Sequence, residues 1–104
     1  AQYLNYFERG RVEMLRAAGI SYREMEREGW MLVVRAMNII YHIPAEFDDL
    51  LRLQIETLSA RGARISHRYR ILRGDQLLVE ATSELACLNA AGKVTRLPEH
   101  LQLK

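Results

Sequence analysis

The 104-residue chain contains only one cysteine, Cys87, so no disulfide can form within it. We expect this thiol to be a small buried core residue in a reducing compartment rather than a nucleophile. Net charge is only +2, and aromatic residues do not alternate with a basic patch, which excludes the usual signature of nucleic-acid binding. No apolar run approaches the roughly 20 residues of a membrane span, and no signal-peptide pattern is visible.

Several catalytic and metal-binding motifs are absent as well. There is no glycine-rich phosphate loop and no G-x-S-x-G sequence. His42, His67 and His100 lack the spacing of metal ligands, and Cys87 has no second cysteine, so no metal site is predicted. The spacing of residues therefore indicates a soluble α+β domain and, by itself, no particular reaction.

The first stretch, Ala1 to Gly19, predicts an amphipathic helix that would lie across a sheet. Its apolar face comprises Tyr3, Leu4, Phe7, Met14, Leu15 and Ala18. Gly10 flanks this face, and because glycine costs about 1 kcal/mol in a helix interior, we expect close packing against the sheet. Arg11 falls near the middle of the apolar face. It either pairs or extends its head to solvent, or it reaches a site or a subunit interface.

The rest of the chain reads as strands and turns after a short polar helix over 22–28. Residues 30–43 form a long β-rich run that is apolar on both faces in its first half, as in a strand covered on both sides. Alternating polarity then predicts strands at 50–58, 63–72 and 77–89. We expect a three-residue turn at 60–62, a turn at 73–76, a short strand at 95–97 and a tail from Pro98 onward.

The strand faces also predict a register for the last hairpin. Pairing Arg73 with Leu77 keeps inward residues opposite inward ones and places His67 opposite Ser83. His67 is then a core histidine, with the Ser83 hydroxyl as its expected partner. The predicted fold class is α+β, with one helix on a sheet of four long antiparallel strands.

Four segments together resemble a known family. They are YLNYFERGRVEML, MLVVRAMNIIYHIPAEFDDLLRLQ, SARGARISHRYRI and LLVEATSELACLN. Their order resembles the hotdog-fold acyl-CoA thioesterases, in particular the 4-hydroxybenzoyl-CoA thioesterase group that includes the thioesterases of the bacterial Tol-Pal operon. The likeness covers nearly the whole chain, and its specificity comes from the combination of segments.

The resemblance implies a single hotdog domain over residues 1–104, with a five-stranded antiparallel sheet wrapped round one long helix. The first of these strands would precede Ala1, so the domain is expected to be incomplete at its N-terminus. The resemblance further implies a cytoplasmic homodimer or homotetramer that pairs through the strand at 30–43. Its substrate would be an acyl-CoA. No metal or redox cofactor is implied, because coenzyme A is part of the substrate.

The resemblance also implies a site at the start of the helix. In the family a carboxylate before the helix acts as nucleophile or general base, and N–H groups at the helix N-terminus polarise the thioester carbonyl. The matching carboxylate would precede Ala1, and Glu8 is the weaker candidate inside the chain. The substrate-binding candidates are Tyr3, beside the thioester, and Arg61, Gly62 and Arg96, near the coenzyme A phosphates. The alternative function is a non-catalytic hotdog assembly or acyl-binding module.

Overall fold

A computed structural model describes residues 3–103 of the chain. The elements are α1 (Tyr3–Ala17), α2 (Tyr22–Arg27), β1 (Trp30–Tyr41), β2 (Arg52–Arg61), β3 (Arg64–Arg73), β4 (Gln76–Asn89) and a 3-10 turn (Glu99–Leu101). The strands form one antiparallel sheet in the order β1-β4-β3-β2, which confirms the α+β class. The further first strand that the resemblance implies falls outside the described residues.

Helix α1 ends as the sequence predicts, while its predicted start at Ala1 lies outside the described residues. Gly19 has a φ of 84°, and its N–H donates to the Arg16 carbonyl at 2.9 Å. The Ile20 N–H donates to the Leu15 carbonyl at 2.8 Å. This pair of bonds satisfies carbonyls that the last helical turn leaves free, and it turns the chain towards α2.

Gly10 marks the closest approach of α1 to the sheet, as predicted. A Cβ built on Gly10 would lie 2.6 Å from both Cδ1 of Ile55 and Cδ2 of Leu53. Both contacted side chains belong to β2, an edge strand. The missing side chain therefore lets the helix backbone rest directly on the apolar face of β2.

We expect Gly10→Leu to lower the free energy of unfolding by about 1–3 kcal/mol, because an added side chain overpacks the contact with β2. This loss should exceed the helix-propensity gain of about 1 kcal/mol. Urea denaturation measures the difference. The control is Ala17→Leu, at an exposed position of the same helix. Equal stability of the Gly10→Leu protein and the wild type would contradict the close approach.

All four strands differ from their predicted bounds: β3 and β4 by one residue, β1 and β2 by more. β1 ends at Tyr41 rather than Ile43, because the N–H groups of His42 and Ile43 both donate to the Leu78 carbonyl and take the chain out of the ladder. β2 begins and ends later than predicted, at Arg52–Arg61. The β2–β3 turn therefore contains two residues instead of three, and Gly62 takes the left-handed conformation with a φ of 61°.

The predicted register of the β3–β4 hairpin is correct along its length but wrong by one residue at its turn. Arg73 pairs with Gln76, not with Leu77, because the ladder shifts after Ile71. The shift also changes which side chains are buried there. Leu78 is fully buried, whereas Leu77 was predicted to be the inward residue.

The C-terminal segment packs against the sheet instead of extending as a strand and tail. The strand predicted at 95–97 is wrong, since only Val94 forms an isolated bridge, to Leu88 of β4. The Leu97 N–H donates to the Gly62 carbonyl at 2.8 Å, so the chain crosses from β4 to the β2–β3 turn. Leu101 is buried at the end of this crossing.

The core divides into two apolar clusters with a polar layer between them. The first cluster lies towards the β2–β3 turn and contains Met25, Ala60, Ile65, Leu85, Cys87, Leu97 and Leu101. The second lies under the start of α1 and contains Phe7, Tyr69, Ile71, Leu78, Val79 and Ala81. The buried polar residues are Arg11, His67 and Ser83, and the Tyr69 hydroxyl joins them.

Candidate functional site

A pocket of about 400 Å³ opens at the start of α1, where the end of β1 passes the helix. It is lined by Tyr3, Tyr41, His42, Ile43, Pro44 and Ala45. The ring centroids of Tyr3 and Tyr41 lie 5.9 Å apart, so the two aromatic side chains form one wall. The start of a helix carries free N–H donors and partial positive charge, which can polarise a carbonyl oxygen at such a pocket.

His42 also lines this pocket. From the sequence it was considered only as a possible metal ligand. Its Nε2 lies 3.5 Å from Oε1 of Glu80 on β4. The neighbouring carboxylate can orient the imidazole within the pocket. In the sequence, the signal for a role of His42 was its position directly after Tyr41, the last residue of β1. The Tyr41 ring packs against Tyr3 of α1.

The loop that continues the pocket wall is held by Asp49. Its carboxylate accepts a hydrogen bond from the Glu46 N–H at 2.6 Å and one from Nη1 of Arg73 at 2.7 Å. The backbone bond, followed by the Arg73 interactions, lowers the pKa of Asp49 and outweighs the opposing effect of desolvation. The loop between β1 and β2 is thus tied to β3, while its Phe47 side chain is 95% exposed.

The predicted site residues do not come together within one chain. Tyr3 lines the pocket at the Tyr41 end of β1. Arg61 ends β2 and Gly62 begins the β2–β3 turn, which the strand register places at the Trp30 end. A strand of twelve residues separates these ends by roughly 35 Å.

The remaining site candidates are exposed. Arg96 follows β4 near the β2–β3 turn, and its guanidinium lies 3.9 Å from the Glu99 carboxylate. Gly62 presents its carbonyl to Leu97 and Gln102 rather than to solvent alone. Glu8 is exposed on α1 and is not among the residues that line the pocket at the helix start. Its catalytic role stays a prediction.

A buried hydrogen-bonded chain lies between α1 and the sheet. Nη1 of Arg11 donates to the Tyr69 hydroxyl at 3.1 Å, and the hydroxyls of Tyr69 and Ser83 are 2.6 Å apart. Arg11 is therefore a buried core residue that is hydrogen-bonded to a tyrosine hydroxyl. This favours the first of the two predicted interpretations. His67 does lie opposite Ser83, as predicted. The hydrogen bond expected between them is wrong, because the Ser83 hydroxyl bonds to Tyr69 and neither ring nitrogen of His67 has a partner among residues 3–103.

Burial controls the titration of two core residues. Desolvation, assisted by the nearby Arg11 charge, lowers the pKa of His67 to about 4, so the imidazole is neutral at pH 7. Desolvation also raises the pKa of the Cys87 thiol. Cys87 is fully buried, which confirms its predicted place in the core.

Residues 3–103 contain neither a metal-binding cluster nor a membrane-spanning helix. No group of three or more histidine, cysteine, aspartate or glutamate side chains in this range could hold a metal ion. None of the helices there is long and apolar enough to cross a membrane.

The family model for the thioesterase-like superfamily matches residues 1–104. The chain belongs to this superfamily. The resemblance seen in the sequence is thereby confirmed, and so is the hotdog fold, because this thioesterase-like chain shares its architecture with a solved probable thioesterase.

Two relatives of this thioesterase-like chain carry functional names. It is 34% identical over 90 residues to the acyl-CoA thioesterase YbgC of Haemophilus influenzae, covering 86% of this chain and 66% of that protein. It is 37% identical over 90 residues to the acyl-CoA thioester hydrolase YbgC of Escherichia coli O6:H1, covering 86% and 67%. The chain thus spans about two thirds of the length of these relatives.

A solved structure supports the same placement. The crystal structure of a probable thioesterase from Bartonella henselae aligns with a TM-score of 0.84 at 40% sequence identity. The alignment covers 94% of this chain and 82% of the other. The sheet and helix described above are therefore those of a thioesterase-like hotdog domain.

Proposed function

We propose that this thioesterase-like protein hydrolyses an acyl-CoA thioester to a free acid and coenzyme A. The observation that carries the proposal is the pocket beside Tyr3 of α1, which has one wall formed by the Tyr3 and Tyr41 rings. The names of the two YbgC relatives support the same reaction. Because the chain spans about two thirds of their length, their activity is carried over here as a proposal.

The proposed chemistry places the thioester carbonyl oxygen at the N-terminal N–H groups of α1. A carboxylate takes a proton from water, the water oxygen bonds to the carbonyl carbon, and the carbon–sulfur bond then breaks. The departing sulfur takes up a proton as coenzyme A leaves. In the second version the carboxylate itself attacks and water cleaves the resulting anhydride. The carboxylate is expected before Ala1, with Glu8 as the weaker candidate.

We propose further that the active form is a homodimer, or a homotetramer built from it, that pairs through β1. β1 is an edge strand, and its apolar side chains are 42–60% exposed at Met31, Val34, Ile40 and Tyr41. An antiparallel two-fold pairing would bring the Trp30 end of one β1 beside the partner's Tyr41 end. Tyr3 of one chain would then share an edge with the Arg61, Gly62 and Arg96 end of the other, where coenzyme A phosphates could bind.

Thiol release from a panel of acyl-CoA substrates tests the function. Short aliphatic, long aliphatic and benzoyl-type thioesters are assayed with the full-length gene product and with residues 1–104 alone, with and without a metal chelator. We expect hydrolysis by the full-length protein that the chelator leaves unchanged. Hydrolysis by the full-length protein alone would support a carboxylate before Ala1. Absence of activity from both proteins across all classes would contradict the proposal and favour the non-catalytic acyl-binding or assembly module.

We expect Tyr3→Ala to lower kcat/KM about tenfold, because removing the ring opens one wall of the pocket and costs about 1.4 kcal/mol of transition-state positioning. Tyr3→Phe keeps the ring and should stay within about twofold of the wild type. Tyr6→Ala on the same helix is the matched control, since Tyr6 does not line this pocket. Equal losses for the Tyr3 and Tyr6 variants would contradict a specific role for Tyr3.

A further inference from the structure

A second pocket, of about 150 Å³, lies between α1, α2 and the start of β1. It is lined by Arg11, Tyr22, Met25, Glu26, Trp30, Met31 and Leu32. The lining combines apolar side chains with the charged residues Glu26 and Arg11. Arg11 is its one cation and comes from the polar layer of the core. The pocket lies roughly 30 Å along β1 from the pocket at the helix start, so it is a separate feature of one chain.

Arg11 is unusual because it is a buried cation without an anionic partner. The residue is only 7% exposed, and within residues 3–103 no carboxylate lies within 4 Å of its guanidinium. Nη1 donates to the Tyr69 hydroxyl, but Nε has no hydrogen-bond partner. A buried charge without a counter-charge is costly, so an anion that reached Arg11 would recover part of that cost.

The guanidinium remains available as a cation. Burial lowers the pKa of Arg11, but hydrogen bonds and charge interactions with Tyr69 and Tyr22 more than offset that effect, so the pKa is raised. Tyr69 approaches the guanidinium from β3, and Tyr22 approaches it from α2.

We propose that this pocket binds a small monocarboxylate with an apolar body. The carboxylate would pair with the guanidinium of Arg11, and the apolar body would contact Met25, Trp30 and Leu32. Glu26 stands at the exposed side of the pocket and repels anions from it. The site goes beyond the proposed hydrolysis and is tested without any thioester, so its failure would leave the proposed function untouched.

The test uses benzoate as the probe and benzamide as its neutral counterpart of the same shape. Trp30 is the only tryptophan in the chain and lines the pocket, so its indole N–H signal in NMR spectra reports occupancy directly. We expect a saturable shift with benzoate at a Kd on the order of 1 mM, and none with benzamide. Equal shifts with both probes, or no shift with either, would overturn the proposal.

Two exposed carboxylates of the α2 region provide the variants. Glu26→Gln removes the repelling charge and should tighten benzoate binding about fivefold, while Glu28→Gln, just beyond α2 and outside the pocket lining, should leave it unchanged. Arg11→Met should abolish binding. If Glu26→Gln instead lowers the free energy of unfolding and fails to tighten binding, Glu26 is the solution counter-ion of Arg11, and the carboxylate site is refuted.

Discussion

Acidification from pH 7 to pH 4 is expected to destabilise the protein by about 3 kcal/mol through His67 alone. The imidazole is fully buried with both ring nitrogens unpartnered, and its pKa is lowered from 6.5 to about 4. The unfolded chain therefore binds a proton at pH values where the folded chain does not. Stability from the neutral imidazole is complete above about pH 6.5, and it falls as the pH drops towards 4.

His67→Leu should remove this loss, because leucine has a similar volume and cannot be protonated. It should also raise stability at pH 7 by about 1–3 kcal/mol, since it removes two unsatisfied polar atoms from the core. Urea denaturation at a series of pH values between 7 and 4 measures both effects. Asp49, whose pKa is lowered, loses its contribution mainly as the pH falls below about 4.8, so the decline between pH 6.5 and pH 5 reports His67.

The matched control is His100→Leu, at an exposed histidine of the 3-10 turn. It should retain the acid destabilisation of the wild type. A wild-type protein whose stability is flat between pH 7 and pH 4 would contradict a neutral buried His67. An identical decline in the wild type and in the His67→Leu protein would place the titrating group elsewhere.

Val34→Lys is expected to convert the proposed β1 dimer to monomers and to weaken association about 100-fold or more. Val34 lies on the edge strand β1 and is 44% exposed in the single chain. In a two-fold interface each substitution appears twice, so two lysine charges would have to be buried or would repel. Lysine on an edge strand also disfavours strand pairing in general.

Activity should fall together with association, because the proposed pairing joins the Tyr3 pocket of one chain to the Arg61 end of the other. Size-exclusion chromatography with light scattering measures the mass, and thiol release measures turnover on the same samples. The control is Val94→Lys, since Val94 is 58% exposed and lies outside β1. A Val34→Lys protein of wild-type mass and activity would contradict pairing through β1.

The sequence did not predict which candidate site residues lie together. His42 and Tyr3 are almost forty positions apart, and they line the same pocket because the Tyr41 end of β1 lies beside Tyr3 of α1. Arg61 and Tyr3 were both candidates for one site, yet the same sheet places them at opposite ends. Spacing along the chain cannot distinguish these two outcomes, because both depend on the direction in which the helix crosses the strands.

The sequence alone determined the features that depend on local periodicity. Alternating polarity assigned the inward faces of β2 and β3 correctly, and the glycine at position 10 indicated the close helix–sheet contact. Hydrogen-bond partners in the core were decided only by the tertiary structure. Arg11 meets Tyr69 across 58 positions, and Tyr69 takes the Ser83 hydroxyl that pairing by register had assigned to His67. Register determines which residues lie opposite each other on neighbouring strands. Long side chains also form hydrogen bonds with diagonal neighbours and with the helix above the sheet, and these contacts form only when the layers pack.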